Sequence, residues 1–225
     1  MLKVKKLNEK IEIMENIHDK NEKLASEINR KMTAKGVFVI NVIGSPGAGK
    51  TTSLINLTKL LDKKSYIIEG DIESDIDAKK LSALGIRTAQ INTGGACHLE
   101  TTLIEAALPD DFTGGFLFIE NIGNLVCPAE FMVGEHIKML ISSVAEGSDK
   151  PYKYPLAFEK ADIIILNKCD LTPYLDFDEN FFINGVRKLN KTVTIIKTSG
   201  KTGEGFKEAA KWLTARMKEM QSALS

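Results

Sequence analysis

Gly44-Ser45-Pro46-Gly47-Ala48-Gly49-Lys50-Thr51 decides the fold, because it matches the pattern G-x-x-x-x-G-K-[ST] in full. Val37–Ile43 ahead of it (VFVINVI) is an unbroken apolar run, and TTSLINLTKLL from Thr51 onward has helical periodicity. Strand, glycine-rich turn and helix in that order form a P-loop. Its backbone N–H groups turn inward around phosphate, and the helix N-terminus adds its positive end. Lys50 is expected to reach the β- and γ-phosphates, and the Thr51 hydroxyl to sit on Mg²⁺. Gly44, Gly47, Ala48, Gly49 and Thr52 complete the candidate cradle.

Outward from this motif, strands are predicted at Val37–Ile43, Tyr66–Glu69, Thr88–Asn92, Phe116–Glu120, Ile163–Asn167 and Thr192–Lys197. Helices are predicted at Lys50–Leu61, Asp75–Leu84, His98–Leu108, Asn180–Leu189 and Phe206–Met220. Short strands, apolar on both faces and alternating with helices, predict an α/β P-loop NTPase with a mostly parallel central sheet covered on both sides. Ser148–Tyr154 (SDKPYKY) is the longest polar interruption and is expected to be a loop. Residues 1–34 are predicted to be an N-terminal helical extension, and residues 35–225 the P-loop domain. The extension carries apolar residues at Val4, Leu7, Ile11, Met14, Ala25, Ile28 and Met32, with His18 and Asn21 inside the same stripe. A helix packed on the following domain is the favoured reading, an oligomerisation helix the alternative.

Thirty basic and thirty acidic side chains balance, so no field of one sign recruits nucleic acid or an anionic membrane. No apolar run approaches the roughly 20 residues that cross a bilayer, and no secretory leader pattern opens the chain. Three scattered cysteines make no disulfide framework, which suits the reducing cytoplasm.

The base is read by a second motif. The apolar stretch Asp162–Leu166 (DIIIL), the fifth predicted strand, runs into Asn167-Lys168-Cys169-Asp170, an N-K-x-D signature. A carboxylate at Asp170 accepts from both guanine N1–H and the exocyclic amine. Adenine lacks that donor pair and would leave a buried charge unpaired. Asn167 is expected to brace the loop and Lys168 to lie over the base. Ser199-Gly200-Lys201 resembles an S-A-K loop, making Ser199 and Lys201 candidate contacts to guanine O6. The nucleotide is therefore expected to be GTP.

Phosphate sensing needs a carboxylate near Mg²⁺ and an amide near the γ-phosphate. Glu120-Asn121-Ile122-Gly123 looks like D-x-x-G with Glu in place of Asp. Glu120 is the candidate Mg²⁺ partner through water, and Gly123 the candidate amide. Asp71 is a further candidate for Mg²⁺ or for positioning the attacking water, which makes Lys50, Asp71 and Glu120 the candidate catalytic set. Asp75 and Asp77 read better as helix N-terminal acids.

Cys97 and His98 follow Thr93-Gly94-Gly95-Ala96 and are expected to open the helix after the third predicted strand. A thiol so placed has a lowered pKa, and thiolate with imidazole suits Zn²⁺ or Ni²⁺. Cys127 lies four residues past Gly123. With the third and fourth predicted strands as neighbours, both loops would open at one sheet edge. Three soft ligands are one short of a closed tetrahedral site, which a two-fold dimer supplies. Core packing is the alternative for these cysteines. His136 is a weaker ligand candidate on a predicted surface helix, Cys169 reads as a packing residue, and His18 has no partner in sequence.

The run ENIGNLVCPAE (Glu120–Glu130), the TGGACHL stretch and GSPGAGKT together resemble the HypB family of hydrogenase maturation GTPases, which help insert nickel. The resemblance spans the domain from about Val37 onward. It implies a GTPase of the SIMIBI class, dimerising with nucleotide and bridging a metal through residues matching Cys97, His98 and Cys127. Slow intrinsic turnover is expected because no Gln or Arg stands in an obvious catalytic position. It also implies as partners the nickel metallochaperone HypA and the hydrogenase large-subunit precursor. The N-terminal C-x-x-C-G-C site and the histidine-rich tract of some relatives are missing here, which leaves the site in the GTPase domain. The urease nickel-insertion GTPase UreG is similar, but its pattern after the Glu120 strand differs. A GTP-gated scaffold with structural cysteines is the third reading.

Overall fold

The computed structural model describes residues 19–71 and 76–223. A helix over residues 19–34 (α1) precedes β1 (Val37–Gly44), α2 (Lys50–Thr58), β2 (Ser65–Asp71), α3 (Ile76–Ala83), β3 (Arg87–Asn92) and α4 (Thr101–Ala107). There follow β4 (Gly115–Glu120), α5 (Cys127–Glu130), β5 (Ile137–Ser143), α6 (Lys150–Lys153), α7 (Pro155–Glu159), β6 (Ile163–Asn167), α8 (Glu179–Leu189), β7 (Thr194–Lys197) and α9 (Phe206–Ser222). Among the described residues seven strands form one sheet in the order β3-β2-β4-β1-β5-β6-β7, with every pair parallel.

The predicted α/β sheet is thus present, and its burial follows from its sequence. β1, β4, β5 and β6 are buried at every position, as a parallel sheet covered on both faces requires. Period two sorts their side chains. Phe38, Ile40 and Val42 join Phe116, Phe118, Leu54, Leu57 and Leu213 on one face, whereas Val37, Val39, Leu117 and Ile119 meet Ile28, Met32 and Ile104 on the other. The edge strand β3 (RTAQIN) is mostly polar and only partly buried, with Ile91 in the core. Deleting a buried ring such as Phe118 would cost about 3–5 kcal/mol.

Residues 19–34 pack on the domain through Ala25, Ile28 and Met32, in line with the favoured reading of that segment. Its predicted portion from Val4 to His18 lies outside the described residues, as does Asp75. Three other expectations change. Ile137–Ser143, predicted as no strand, is β5, so the Asn167 motif follows the sixth strand. His136 precedes β5 instead of lying on a surface helix. Its Nδ1 accepts from the Val39 N–H (2.9 Å), and its ring stacks on Phe38. The expected loop Ser148–Tyr154 contains α6 and leads into α7, each with a proline in its first turn.

The sheet order also corrects one adjacency. The strands ending at Asn92 and Glu120 are not neighbours, because β2 lies between them. The loop from β3 reaches across the end of β2, where a Cβ on Gly70 would sit 2.7 Å from the Leu99 side chain. Glycine at that strand end is what lets the crossing happen.

Candidate nucleotide and metal site

The C-terminal edge of the sheet carries every site element, as in other open α/β folds. The cradle Gly44–Thr51 links β1 to α2, and Gly47 and Gly49 take the left-handed conformation (φ 73° and 96°) that inward-facing amides demand. A cavity of about 340 Å³ opens over it, lined by Gly47, Gly49, Lys50, Thr51, Glu120 and Lys168 among others. The Thr51 hydroxyl donates to Glu120 Oε1 at 2.8 Å. A hydroxyl and a carboxylate facing each other beside a phosphate loop are a donor set that fits Mg²⁺, a hard ion taking oxygen ligands. Asp71 closes β2 at the same edge, paired with Asn92.

The guanine motif is built into this cradle. Asn167 Nδ2 donates to the Ala48 carbonyl (3.0 Å), and Asn167 Oδ1 accepts from Gly200 N–H (3.0 Å) and Thr198 Oγ1 (3.2 Å). One buried amide therefore ties the phosphate loop to the loops that follow β6 and β7. Lys168, the described non-glycine residue with positive φ (60°), donates from Nζ to the Gly47 carbonyl at 2.7 Å. The Ser199 hydroxyl donates to Asp170 Oδ1 at 2.6 Å, orienting the carboxylate. Cys169 packs beneath the motif, its thiol pushed up by burial and donating to the Leu166 carbonyl. Lys201 is exposed at the rim.

Next to the cradle stands the second cluster. Cys97 Sγ, a His98 ring nitrogen and Cys127 Sγ all lie within 4.8 Å of one another. Cys97 Sγ is 2.9 Å from Cys127 Sγ and 3.5 Å from His98 Nδ1. A tetrahedral ion with metal–sulfur bonds of about 2.3 Å holds two sulfurs about 3.7 Å apart, so binding needs only a small parting of the thiols. His98 stacks on Phe131 (4.5 Å between centroids, 9° between planes), which fixes its plane, and burial lowers its pKa. A neutral imidazole is the ligand form.

Two expectations about these residues do not hold. Cys97 and His98 do not open a helix. Gly94 and Gly95, both at positive φ, carry the chain through turns, and α4 starts only at Thr101. Nor is the Cys97 thiol acidified, since its hydrogen bond with Cys127 and then burial push its pKa up. His136 is not among the clustered ligands. Burial pushes its ring down to about 4.

A residue that the motifs did not single out joins the two sites. Asn124 forms an isolated antiparallel bridge with Gly44, the first glycine of the cradle. Its side chain donates to the Cys97 carbonyl (3.1 Å) and accepts from the Val126 N–H (2.9 Å). The hint lay in its position, between Gly123 and Cys127. Gly123 itself abuts the cradle, and a Cβ there would stand 2.8 Å from Pro46 Cγ.

A parallel sheet with this cradle and an N-K-x-D loop defines a P-loop nucleotide-binding protein of the GTPase type. Residues 38–197 match the family described as CobW/HypB/UreG, nucleotide-binding domain. The chain belongs to that family, and within it to the HypB proteins. It is 44% identical over 207 residues to the hydrogenase maturation factor HypB of Azotobacter vinelandii, spanning 90% of this chain and 68% of that one. The crystal structure of HypB from Helicobacter pylori in complex with nickel superposes with a TM-score of 0.85 at 36% identity, over 89% of this chain and 96% of that one. HypB from Archaeoglobus fulgidus superposes at 0.83 with 31% identity, over 88% and 99%. Among the described residues no helix is long and apolar enough to cross a membrane.

Proposed function

We propose that this protein is a GTPase that couples GTP binding and hydrolysis to the handling of nickel during [NiFe]-hydrogenase maturation. The observation that carries this reading is the Cys97–His98–Cys127 cluster, tied through Asn124 to the first glycine of the phosphate cradle. Lys50 and the cradle amides bind the phosphates, while Asp170, Asn167, Lys168, Ser199 and Lys201 select guanine. Thr51, Asp71 and Glu120 hold Mg²⁺, which neutralises charge developing on the β- and γ-oxygens. Gly123 senses the γ-phosphate. Among the described residues no arginine or glutamine lines the cavity, which supports slow intrinsic turnover.

Nickel is the cargo, held by Cys97, His98 and Cys127; Zn²⁺ accepts the same ligands. Three ligands per chain and the exposed apolar side chain of Val126 (55% exposed) beside Cys127 favour a homodimer that completes the site across a two-fold axis. GTP orders the Gly123–Cys127 segment and promotes that dimer. Hydrolysis loosens the segment and releases the metal. The small nickel chaperone HypA on the delivery side and the hydrogenase large-subunit precursor on the receiving side are the partners this role requires, in the cytoplasm where the thiols stay reduced. Nickel titration of wild type, Cys97→Ala and Cys127→Ala, with and without a non-hydrolysable GTP analogue, tests it, with oligomeric state followed by light scattering. Cys127→Ala should lose nickel and keep the nucleotide. Equal nickel binding by all three proteins would leave a GTPase whose cysteines are structural.

A further inference from the structure

Behind the two ligand-bearing loops runs a chain of buried polar groups that neither the nucleotide motifs nor the ligands explain. Lys138 stands in β5, a strand buried at every position, and its side chain is only 9% exposed. Its ammonium has three protons and meets three acceptors: Glu135 Oε1 at 3.2 Å and the carbonyls of Ala129 and Phe131, each at 3.2 Å. Ala129 lies in α5, the helix that begins at Cys127, and Phe131 carries the ring stacked on His98.

Glu135, 4% exposed, continues the chain. Its Oε2 accepts from the Val133 N–H (2.7 Å), and its Oε1 from Asn41 Nδ2 (3.4 Å). Asn41 Oδ1 accepts from Asn121 Nδ2 (3.3 Å), and Asn121 Oδ1 accepts from the N–H groups of Leu99 (3.1 Å) and Ile122 (3.0 Å). Leu99 directly follows His98. The four buried side chains thus grip the Cys127–Phe131 segment at one end and the His98–Leu99 segment at the other.

A buried ion pair is a poor device for stability alone, since well-packed apolar residues of similar volume do as well or better. What it offers is placement, because each donor and acceptor accepts only one arrangement of its partners. We infer that Lys138 and Glu135 are positioning residues of the nickel site, setting through Asn41 and Asn121 the spacing between His98 and Cys127. The inference rests on the reading of Cys97, His98 and Cys127 as nickel ligands.

The test uses Lys138→Met, the double variant Glu135→Gln/Lys138→Met, which leaves no lone buried charge, and Asn121→Ser at the far end. Nickel affinity is measured by chelator competition, the site geometry by the thiolate-to-nickel absorption band, and GTP-analogue affinity without metal. The Lys138 and Glu135 variants should bind nickel about 10–100-fold more weakly, with a changed absorption band. Their nucleotide affinity should stay within about twofold of wild type. Asn121→Ser should weaken nickel in the same direction. Wild-type nickel affinity and an unchanged band in any folded variant would overturn the positioning role. So would a parallel loss of nickel and nucleotide binding, which marks a merely structural pair. If Lys138→Met does not fold, the double variant and Asn121→Ser decide. Should wild type and Cys127→Ala bind nickel equally, the site reading itself fails and the positioning role with it. Should only Cys127→Ala lose nickel, the site stands and the positioning role alone is lost.

Discussion

The side-chain amide of Asn124 donates to the main-chain carbonyl of Cys97 at 3.1 Å, while the backbone of the same residue bridges Gly44. Movement of the phosphate loop and movement of the Cys97 loop therefore share one residue. Coupling between two ligands is reciprocal and typically amounts to roughly 1–3 kcal/mol. In the wild type, Ni²⁺ should accordingly change the affinity for a GTP analogue by about 5–150-fold. Asn124→Ala should bring that factor close to one, with each ligand still binding alone. Isothermal titration of the analogue with and without Ni²⁺ reads this directly. An undiminished factor in the variant would move the coupling elsewhere.

Guanine selectivity is expected to rest on the Asp170 carboxylate, which the Ser199 hydroxyl orients at 2.6 Å. Asp170→Asn turns an acceptor pair into one acceptor and one donor, so GTP should weaken by about 10²-fold or more and xanthosine triphosphate should gain. Competition binding with both nucleotides and ATP checks it. ATP equal to GTP in the wild type would contradict the guanine assignment.

His136 sets an acid limit on stability. Thr33 Oγ1 donates to the Asn29 carbonyl and so accepts from His136 Nε2–H, while Nδ1 accepts from Val39. That ring is folded in neutral, and burial holds its pKa at about 4, below the ordinary 6.5. The unfolded chain therefore takes up the proton first as pH falls. Stability is full above about pH 6.5 and drains away towards pH 4. The loss is on the order of 2 kcal/mol, since the ring is partly solvated. Melting temperatures followed from pH 7 to pH 4.5 should fall more steeply for wild type than for His136→Asn.

Much of this arrangement is legible in the sequence for physical reasons, and the parts that are not have physical reasons too. The phosphate cradle and N-K-x-D are local, so their residue types and order carry their geometry with them. β5 was hidden by Lys138, because a lysine amid apolar residues looks like the solvated face of a helix. Only the fold brings Glu135 and the carbonyls of Ala129 and Phe131 to pair with it. Cys97, His98 and Cys127 were legible as a candidate ligand set, and the structure brings their side chains together. The route that joins them was not legible, since β2 separates their strands and Gly70 lets Leu99 across. The Cys97 thiol depends on contact with Cys127, which spacing along the chain does not reveal.

If Gly123 senses the γ-phosphate as proposed, nucleotide sensing can be broken there without touching a metal ligand. A Cβ added there would meet Pro46 at 2.8 Å to Cγ and 3.0 Å to both Cα and N. Two of those atoms are backbone of the phosphate loop and cannot swing aside, so Gly123→Ala must push the Glu120–Cys127 segment and the cradle apart. Misplacement by about 1 Å costs on the order of 10²-fold in rate when a transition state needs exact positioning. GDP makes no γ-phosphate contact, so its affinity should stay within a few-fold of wild type while single-turnover GTP hydrolysis falls by about 10²-fold. The same displacement pulls on Asn124 and hence on Cys97, so the GTP analogue should no longer alter nickel affinity in the variant. Circular dichroism guards against misfolding, and hydrolysis, GDP binding and nickel binding are read on the same preparation. Normal hydrolysis in a folded Gly123→Ala protein would mean that the segment does not sense the γ-phosphate, and nucleotide control of the metal would need another route.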